Sequence, residues 1–212
     1  MTIRLLHRAG YNQWARRTCN DDRAAQLVEF AVALPLLVVF VVGIFDFSGA
    51  FTLKQKLTNL ARDAARAAAA DPASDVAEPP PGGIPASVSD AFQMINNYLV
   101  ANKINNCGIT STSFVPTAPA TWVYSAHSSG CPGTGLIITI NRFYYFPSSG
   151  IAPAPTVNCS ATPFGAQNTV IATCVSLQYA YQWRFGRVEG LLGGTAGLPN
   201  SITAVSVAMN EN

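Results

Sequence analysis

The sequence predicts an α+β fold in which one long N-terminal helix, transmembrane in its first half and amphipathic in its second, packs on a small antiparallel β-sheet domain. Three observations predict it. From Ala25 to Ala70 almost nothing interrupts a helix except Pro35 and Gly43, and membrane helices tolerate both residue types. Beyond Asn102 the apolar residues pass from helical spacing to alternation, the period of a half-buried strand. Polarity is also unevenly divided: 49% of the 212 residues are hydrophobic and only 11% charged, against about 25% charged in soluble proteins. The apolar excess sits in Leu27–Phe51, and the mean hydropathy of the chain is +0.23.

Residues 1–24 show no sustained period and read as a cytoplasmic leader. The helix follows over 25–70, with its transmembrane half at about 27–47. Leu27 to Phe47 would cover about 31 Å at 1.5 Å per residue, enough to cross the hydrocarbon. Beyond it Leu53, Leu57, Leu60, Ala61, Ala64 and Ala68 recur at steps of three and four, while Lys54, Gln55, Thr58, Asn59, Arg62, Asp63 and Arg66 cover the other faces. A stripe of small residues admits close approach by another element. Packing on the chain's own C-terminal domain and packing on neighbouring subunits are both open, and they are compatible.

Residues 71–86 form a linker whose prolines and glycines hold neither helix nor strand. The exported α+β domain occupies 87–212. It begins with a short amphipathic helix capped by Ser87 or Ser89, with Phe92, Ile95, Leu99 and Tyr98 toward a core. Strands are expected at Thr121–Ser125, Leu136–Phe146, Val170–Phe185 and Ile202–Met209. In the second of these Leu136, Ile138, Ile140, Tyr144 and Phe146 share a face. In the third Val175, Leu177, Tyr179, Tyr181, Trp183 and Phe185 do so. That aromatic stripe is first of all a core or sheet face, and otherwise a platform for carbohydrate or another surface. Stretches 147–167 and 190–201 read as long loops.

A net charge of +2 is too small to indicate a nucleic-acid surface, and its distribution says more. Arg4, Arg8, Arg16, Arg17 and Arg23 precede the apolar segment, and Lys54, Lys56, Arg62 and Arg66 follow it. The positive-inside bias is therefore modest, but long downstream domains translocate largely regardless of charge. The orientation expected is a cytoplasmic N-terminus with everything after about Phe51 exported. Cysteine usage agrees. Cys19 stands alone before the span, whereas Cys107, Cys131, Cys159 and Cys174 lie beyond it, in the compartment that permits disulfides. Four cysteines allow three pairings. Local closure favours Cys107–Cys131 with Cys159–Cys174, and the other pairings stay open. No CxxC spacing occurs, which argues against zinc or dithiol redox chemistry.

Catalytic constellations are not found. His7 lies in the leader and His127 in a loop far in sequence from any paired carboxylate; GxSxG, HExxH, P-loop and GxGxxG motifs are missing. From residue 87 onward the acids are Asp90, Glu189 and Glu211, too few for a metal cluster or a glycosidase pair. Neither a catalytic site, a metal site nor a cofactor is expected, and the chain does not read as an enzyme. The sequon Asn158-Cys159-Ser160 carries little weight if Cys159 is bridged.

What remains is Glu29, an acid at the edge of the apolar run. A carboxylate entering hydrocarbon costs roughly 2.5–3.5 kcal/mol on insertion scales. A secretory signal peptide cleaved near Ser48-Gly49-Ala50 is one reading, opposed by the polar leader, the length of the apolar run and Asp46. A simple signal anchor with a solvated Glu29 is another. A third is proteolysis before Ala25, which would make Glu29 the fifth residue of a new N-terminus. Its carboxylate could then neutralise a free amine on an adjacent subunit.

Ala24-Ala25-Gln26-Leu27-Val28-Glu29-Phe30-Ala31-Val32-Ala33-Leu34-Pro35, then Gly43-Ile44-Phe45-Asp46-Phe47, then Leu57-Thr58-Asn59-Leu60-Ala61-Arg62-Asp63-Ala64-Ala65-Arg66-Ala67-Ala68 resemble the TadE-like family. These are pilin-like pseudopilins of the bacterial tight-adherence (Tad or Flp) pilus system. The likeness is specific over residues 23–70; Val175–Tyr179 and Ala204–Glu211 are similar in style to the family's terminal strands. The resemblance implies a pilin-like fold and a minor, structural, membrane-anchored subunit of type IV-related pilus assembly and adhesion. It implies a single-pass protein of the bacterial cytoplasmic (inner) membrane, with its C-terminal domain periplasmic or extracellular. The implied partners are membrane lipid, other Tad/Flp components and pilin-like subunits, with no nucleic acid among them. A prepilin peptidase would cut between Ala24 and Ala25, where processed members usually carry Gly at the position of Ala24. Glu29 and Asp46 are the implied assembly acids. The alternative is a signal-anchored extracytoplasmic binding module whose β-sheet domain recognises a ligand or surface.

Overall fold

The computed structural model describes residues 22–72, 74, 83–117, 120–128, 130–147, 155–159, 169–184 and 199–210. The leader with His7 and Cys19, most of the linker, Phe185, Glu189 and Glu211 lie outside them. Helix α1 spans Asp22–Ala70 and α2 spans Ala86–Ala101. Five strands follow: β1 Phe114–Thr117, β2 Thr121–Ala126, β3 Leu136–Pro147, β4 Thr169–Ala180 and β5 Ser201–Met209. They form one antiparallel sheet in the order β1-β2-β3-β4-β5, so each strand pairs with its neighbour in sequence. The fold is the expected α+β arrangement of a long helix on an antiparallel sheet.

Helix α1 runs through Pro35 without a break. Its second half supplies Leu57, Leu60, Ala61, Ala64, Ala65 and Ala68 to the core, all at most 1% exposed. The alanine stripe is therefore packed within the chain, against α2 and strands β4 and β5. Small side chains let α1 lie close to the sheet, and Lys54 Nζ adds a hydrogen bond to the Thr203 carbonyl of β5. From the sheet come Trp122, Tyr124, Leu136, Ile138, Ile140, Val175, Leu177, Ile202 and Ala204. They share one face because successive strand residues point to opposite sides and the register aligns Tyr124, Ile138, Leu177 and Ala204 across four strands. Helix α2 adds Val88, Ala91, Phe92, Ile95 and Leu99, with Phe92 stacked on Tyr124 at 4.5 Å between ring centroids.

Four details depart from expectation. Helix α2 starts from Pro85, which has no side-chain cap; Ser87 is buried in the first turn instead. Strand β1 was not expected, being only four residues long with Pro116 at its middle, and proline confines such a strand to a sheet edge. Strand β4 stops at Ala180 rather than running to Phe185. Its neighbours begin there: Leu136 of β3 pairs with Tyr179, and Ser201 of β5 with Ala180. Finally, a β-bulge interrupts the β3–β4 register between Asn141 and Tyr144. The extra residue sends Tyr144 away from Leu136, Ile138 and Ile140, to a second cluster with Cys159, Ala172 and Cys174. Asn141 holds the bulge, accepting from the Phe143 N–H at 2.8 Å and donating to the Cys159 carbonyl at 2.8 Å.

Arg142, at the bulge, continues the row of Leu136, Ile138 and Ile140 and reaches the end of α1. Arg142 is 1% exposed. Its guanidinium donates to the carbonyls of Ala68 and Asp71 and to Thr173 Oγ1, the latter two at 3.0 and 2.8 Å. Thr173 in turn donates to Asn210 Oδ1 at 2.6 Å. The bridges Cys107–Cys131 and Cys159–Cys174 close the loop before β3 and anchor the 155–159 segment to β4. These are the local pairs.

Candidate functional site

Helix α1 presents its two implied assembly acids in different settings. Every residue from Ala25 to Val38 is exposed, Glu29 among them, and Leu27, Val28, Phe30, Val32 and Leu34 surround it with bare apolar surface. This half of α1 is long and apolar enough to cross a membrane. Ala24 and Ala25 lie within the first turn of α1, where the leading backbone N–H groups have no acceptors inside the helix. No described element of the chain packs over Glu29.

From Ala25 onward Asp46 is the first buried residue of α1, 5% exposed. It marks the point where the helix meets the sheet domain. Tyr181, just past the end of β4, donates its hydroxyl to Asp46 Oδ1 and shares it with the Asp46 backbone carbonyl, both at 3.2 Å. Gly49, nearly one turn further along α1, makes room for that approach, since a Cβ there would sit 3.2 Å from Tyr181 Oη. Burial pushes the Tyr181 phenol above its ordinary value; the neighbouring Asp46 charge and hydrogen bond add to this, and Arg184 opposes it. The hydroxyl is therefore a protonated donor at neutral pH.

Trp183 completes the contact. Its ring lies 5.1 Å from Phe47 and 4.9 Å, edge-on, from Tyr181, and its indole N–H donates to the Pro199 carbonyl at 2.8 Å. The Tyr181 N–H donates to the Asn200 carbonyl at 3.0 Å. The Tyr181–Asn200 bond extends the β4–β5 register by one position, and the rings of Tyr181 and Trp183 lie against α1. Beside them an open cleft of about 480 Å³ is lined by Val42, Phe45, Asp46, Tyr181 and Arg184.

The structure thus brings Asp46 together with Tyr181, Trp183 and Arg184, and leaves Glu29 apart. Sequence reasoning singled out Asp46 but placed Tyr181 and Trp183 in a continuous strand. The Tyr-Gln-Trp-Arg run of amphipathic and basic side chains was the available signal, as such residues favour membrane interfaces. Among the described residues no three His, Cys, Asp or Glu side chains gather as a metal site, and His127 is exposed just beyond β2.

No curated protein matches this chain, and no solved structure does. Residues 24–66, the segment that carries Glu29, Pro35, Asp46, Gly49 and the buried stripe through Ala65, match the family model described as TadE-like protein.

Proposed function

We propose that this chain is a membrane-anchored, pilin-like structural subunit of a Tad-type pilus assembly system. The TadE-like match suggests involvement in Tad pilus assembly, and that family is pilus-related rather than enzymatic. One observation carries the reading: α1 is divided into a bare apolar half bearing Glu29 and a half buried under the chain's own sheet. The bare half is the span in the bacterial cytoplasmic membrane, with the N-terminus cytoplasmic and the disulfide-bridged domain outside. Its partners are lipid and the spans of other pilin-like subunits. A carboxylate in hydrocarbon costs roughly 2.5–3.5 kcal/mol. Pairing with a cationic group of a neighbouring subunit offsets that cost and sets the subunit's depth and orientation.

A prepilin peptidase acting at Ala24–Ala25 would supply such a group as a new N-terminal amine. Because α1 includes that bond, cleavage requires its first turn to unwind. N-terminal sequencing of the membrane-extracted protein reads the outcome: a start at Ala25 supports processing, and Met1 an uncut anchor. The functional test is Glu29→Gln in the producing bacterium. Surface pili should be lost or strongly reduced while the protein stays in the membrane at normal abundance. Unchanged piliation overturns the role of Glu29.

A further inference from the structure

We propose that the cleft between α1 and the Tyr181–Arg184 segment binds the headgroup of an ammonium-bearing phospholipid of the phosphatidylethanolamine class. The proposal rests on the reading of α1 as a membrane span, which fixes the depth of the cleft. Asp46 lies about 28 Å along the helix from Leu27 at 1.5 Å per residue, and the hydrocarbon core is about 30 Å thick. The cleft therefore sits where hydrocarbon gives way to headgroups, on the side of the sheet domain. Tyr181 lines it and Trp183 packs edge-on beside Tyr181, both residue types that populate this layer.

The walls match the two ends of a zwitterionic headgroup. Val42 and Phe45, lower on α1, give an apolar floor facing the acyl chains. Asp46 contributes a carboxylate whose Oδ1 is held in place by Tyr181. Arg184 is exposed and lines the same cleft. A guanidinium presents a planar fork suited to phosphate oxygens, while a primary ammonium carries N–H donors for the carboxylate. A choline headgroup keeps the positive charge but has no N–H to donate. A glycerol headgroup has no cation, so its phosphate would meet the Asp46 carboxylate uncompensated. The chemistry ranks ethanolamine above choline and choline above glycerol.

The test uses the full chain reconstituted into vesicles with equal parts of palmitoyl-oleoyl phosphatidylethanolamine, phosphatidylcholine and phosphatidylglycerol. After extraction in mild detergent, co-purifying lipid is quantified by mass spectrometry. Phosphatidylethanolamine should be enriched about tenfold over phosphatidylglycerol, the scale of one charged hydrogen bond. Arg184→Gln, an exposed change that spares the Asp46–Tyr181 contact, should return the recovered lipid to the composition of the vesicle. Equal recovery of the three lipids by the unaltered chain overturns the headgroup site, as does undiminished enrichment in R184Q. Release of the unaltered chain from the vesicles by alkaline carbonate instead overturns the span on which the site depends.

Discussion

Arg142 of β3 donates its guanidinium to the carbonyl of Ala68, in the last turn of α1 and 74 residues earlier in the chain. That turn contains no basic residue of its own. The last carbonyls of a helix lack intrahelical donors and carry the negative end of its dipole, so a cation is favoured there. The sheet supplies it from Arg142, beside the bulge at Asn141–Tyr144, and the same guanidinium reaches Asp71 and Thr173. A membrane-anchored helix and the domain that rides on it are thereby joined at a buried polar knot as well as by apolar contact.

Replacing Arg142 with Met should therefore destabilise the domain by about 3 kcal/mol or more, because it leaves buried carbonyls and hydroxyls short of a donor. Arg142→Lys should recover only part of the loss, since a compact ammonium cannot span the Ala68 and Asp71 carbonyls as a planar fork does. Urea unfolding of the full chain in detergent, followed by tryptophan fluorescence, measures both. An R142M midpoint equal to that of the unaltered chain would refute the role.

The Asp46–Tyr181 contact can be isolated through Gly49. Alanine in a helix is favoured over glycine by about 1 kcal/mol, yet a Cβ at Gly49 would press on Tyr181 Oη at 3.2 Å. In the unaltered background Gly49→Ala should gain little, because the hydroxyl is pushed from Asp46. In a Tyr181→Phe background the obstacle is gone, and the same change should stabilise by about 1 kcal/mol. The double-mutant cycle should thus show coupling between the two positions; strict additivity would refute it.

Burial pushes the Tyr124 phenol up to about 12, under Phe92 and inside the main core. An unfolded tyrosine ionises near its ordinary value of about 10. Below that pH both states hold the proton and the native state keeps its full advantage. Between about 10 and 12 the unfolded state loses the proton first, so stability falls as pH rises. Tyr144, Tyr179 and Tyr181 are shifted the same way. Ultraviolet titration should show tyrosinate forming late in the folded protein and normally in urea, and Tyr124→Phe should remove the latest part of the curve. A titration identical in native and unfolded protein would contradict this burial.

The sequence made the long helix plain because one amphipathic stripe continues past the apolar run without an interrupting residue, and Leu57, Leu60, Ala61, Ala64 and Ala68 are all buried. It made β2, β3, β4 and β5 recognisable because each alternates over several residues. Alternation, however, does not say where a strand's partners end. Tyr181 and Trp183 continue the pattern of β4 past Leu136 and Ser201, the first residues of β3 and β5, and their rings pack on α1. Nor does it reveal a bulge, which moved Tyr144 to the other face. A single Arg within Leu136–Phe146 was the visible trace of the cap on α1. The Asp46–Tyr181 pairing spans 135 residues, and no local rule connects such positions.

The two disulfides should differ in accessibility. In the Cys107–Cys131 bridge Cys131 is partly exposed, whereas Cys159 and Cys174 are both fully buried, under Tyr144 and Ala172. Exchange requires a thiolate to reach a sulfur, so dithiothreitol without denaturant should open Cys107–Cys131 first and Cys159–Cys174 only after the domain loosens. Timed alkylation with peptide mass spectrometry resolves the order, and simultaneous opening of the two bridges would contradict it. Replacing Cys159 and Cys174 together with Ala should cost about 3 kcal/mol from the closed loop alone. It should also release the 155–159 segment, so that Asn141 loses the Cys159 carbonyl and the bulge adjoining Arg142 is weakened. The Cys159→Ala/Cys174→Ala chain should consequently lose less on adding Arg142→Met than the bridged chain does, an interaction that a purely entropic cross-link would not produce.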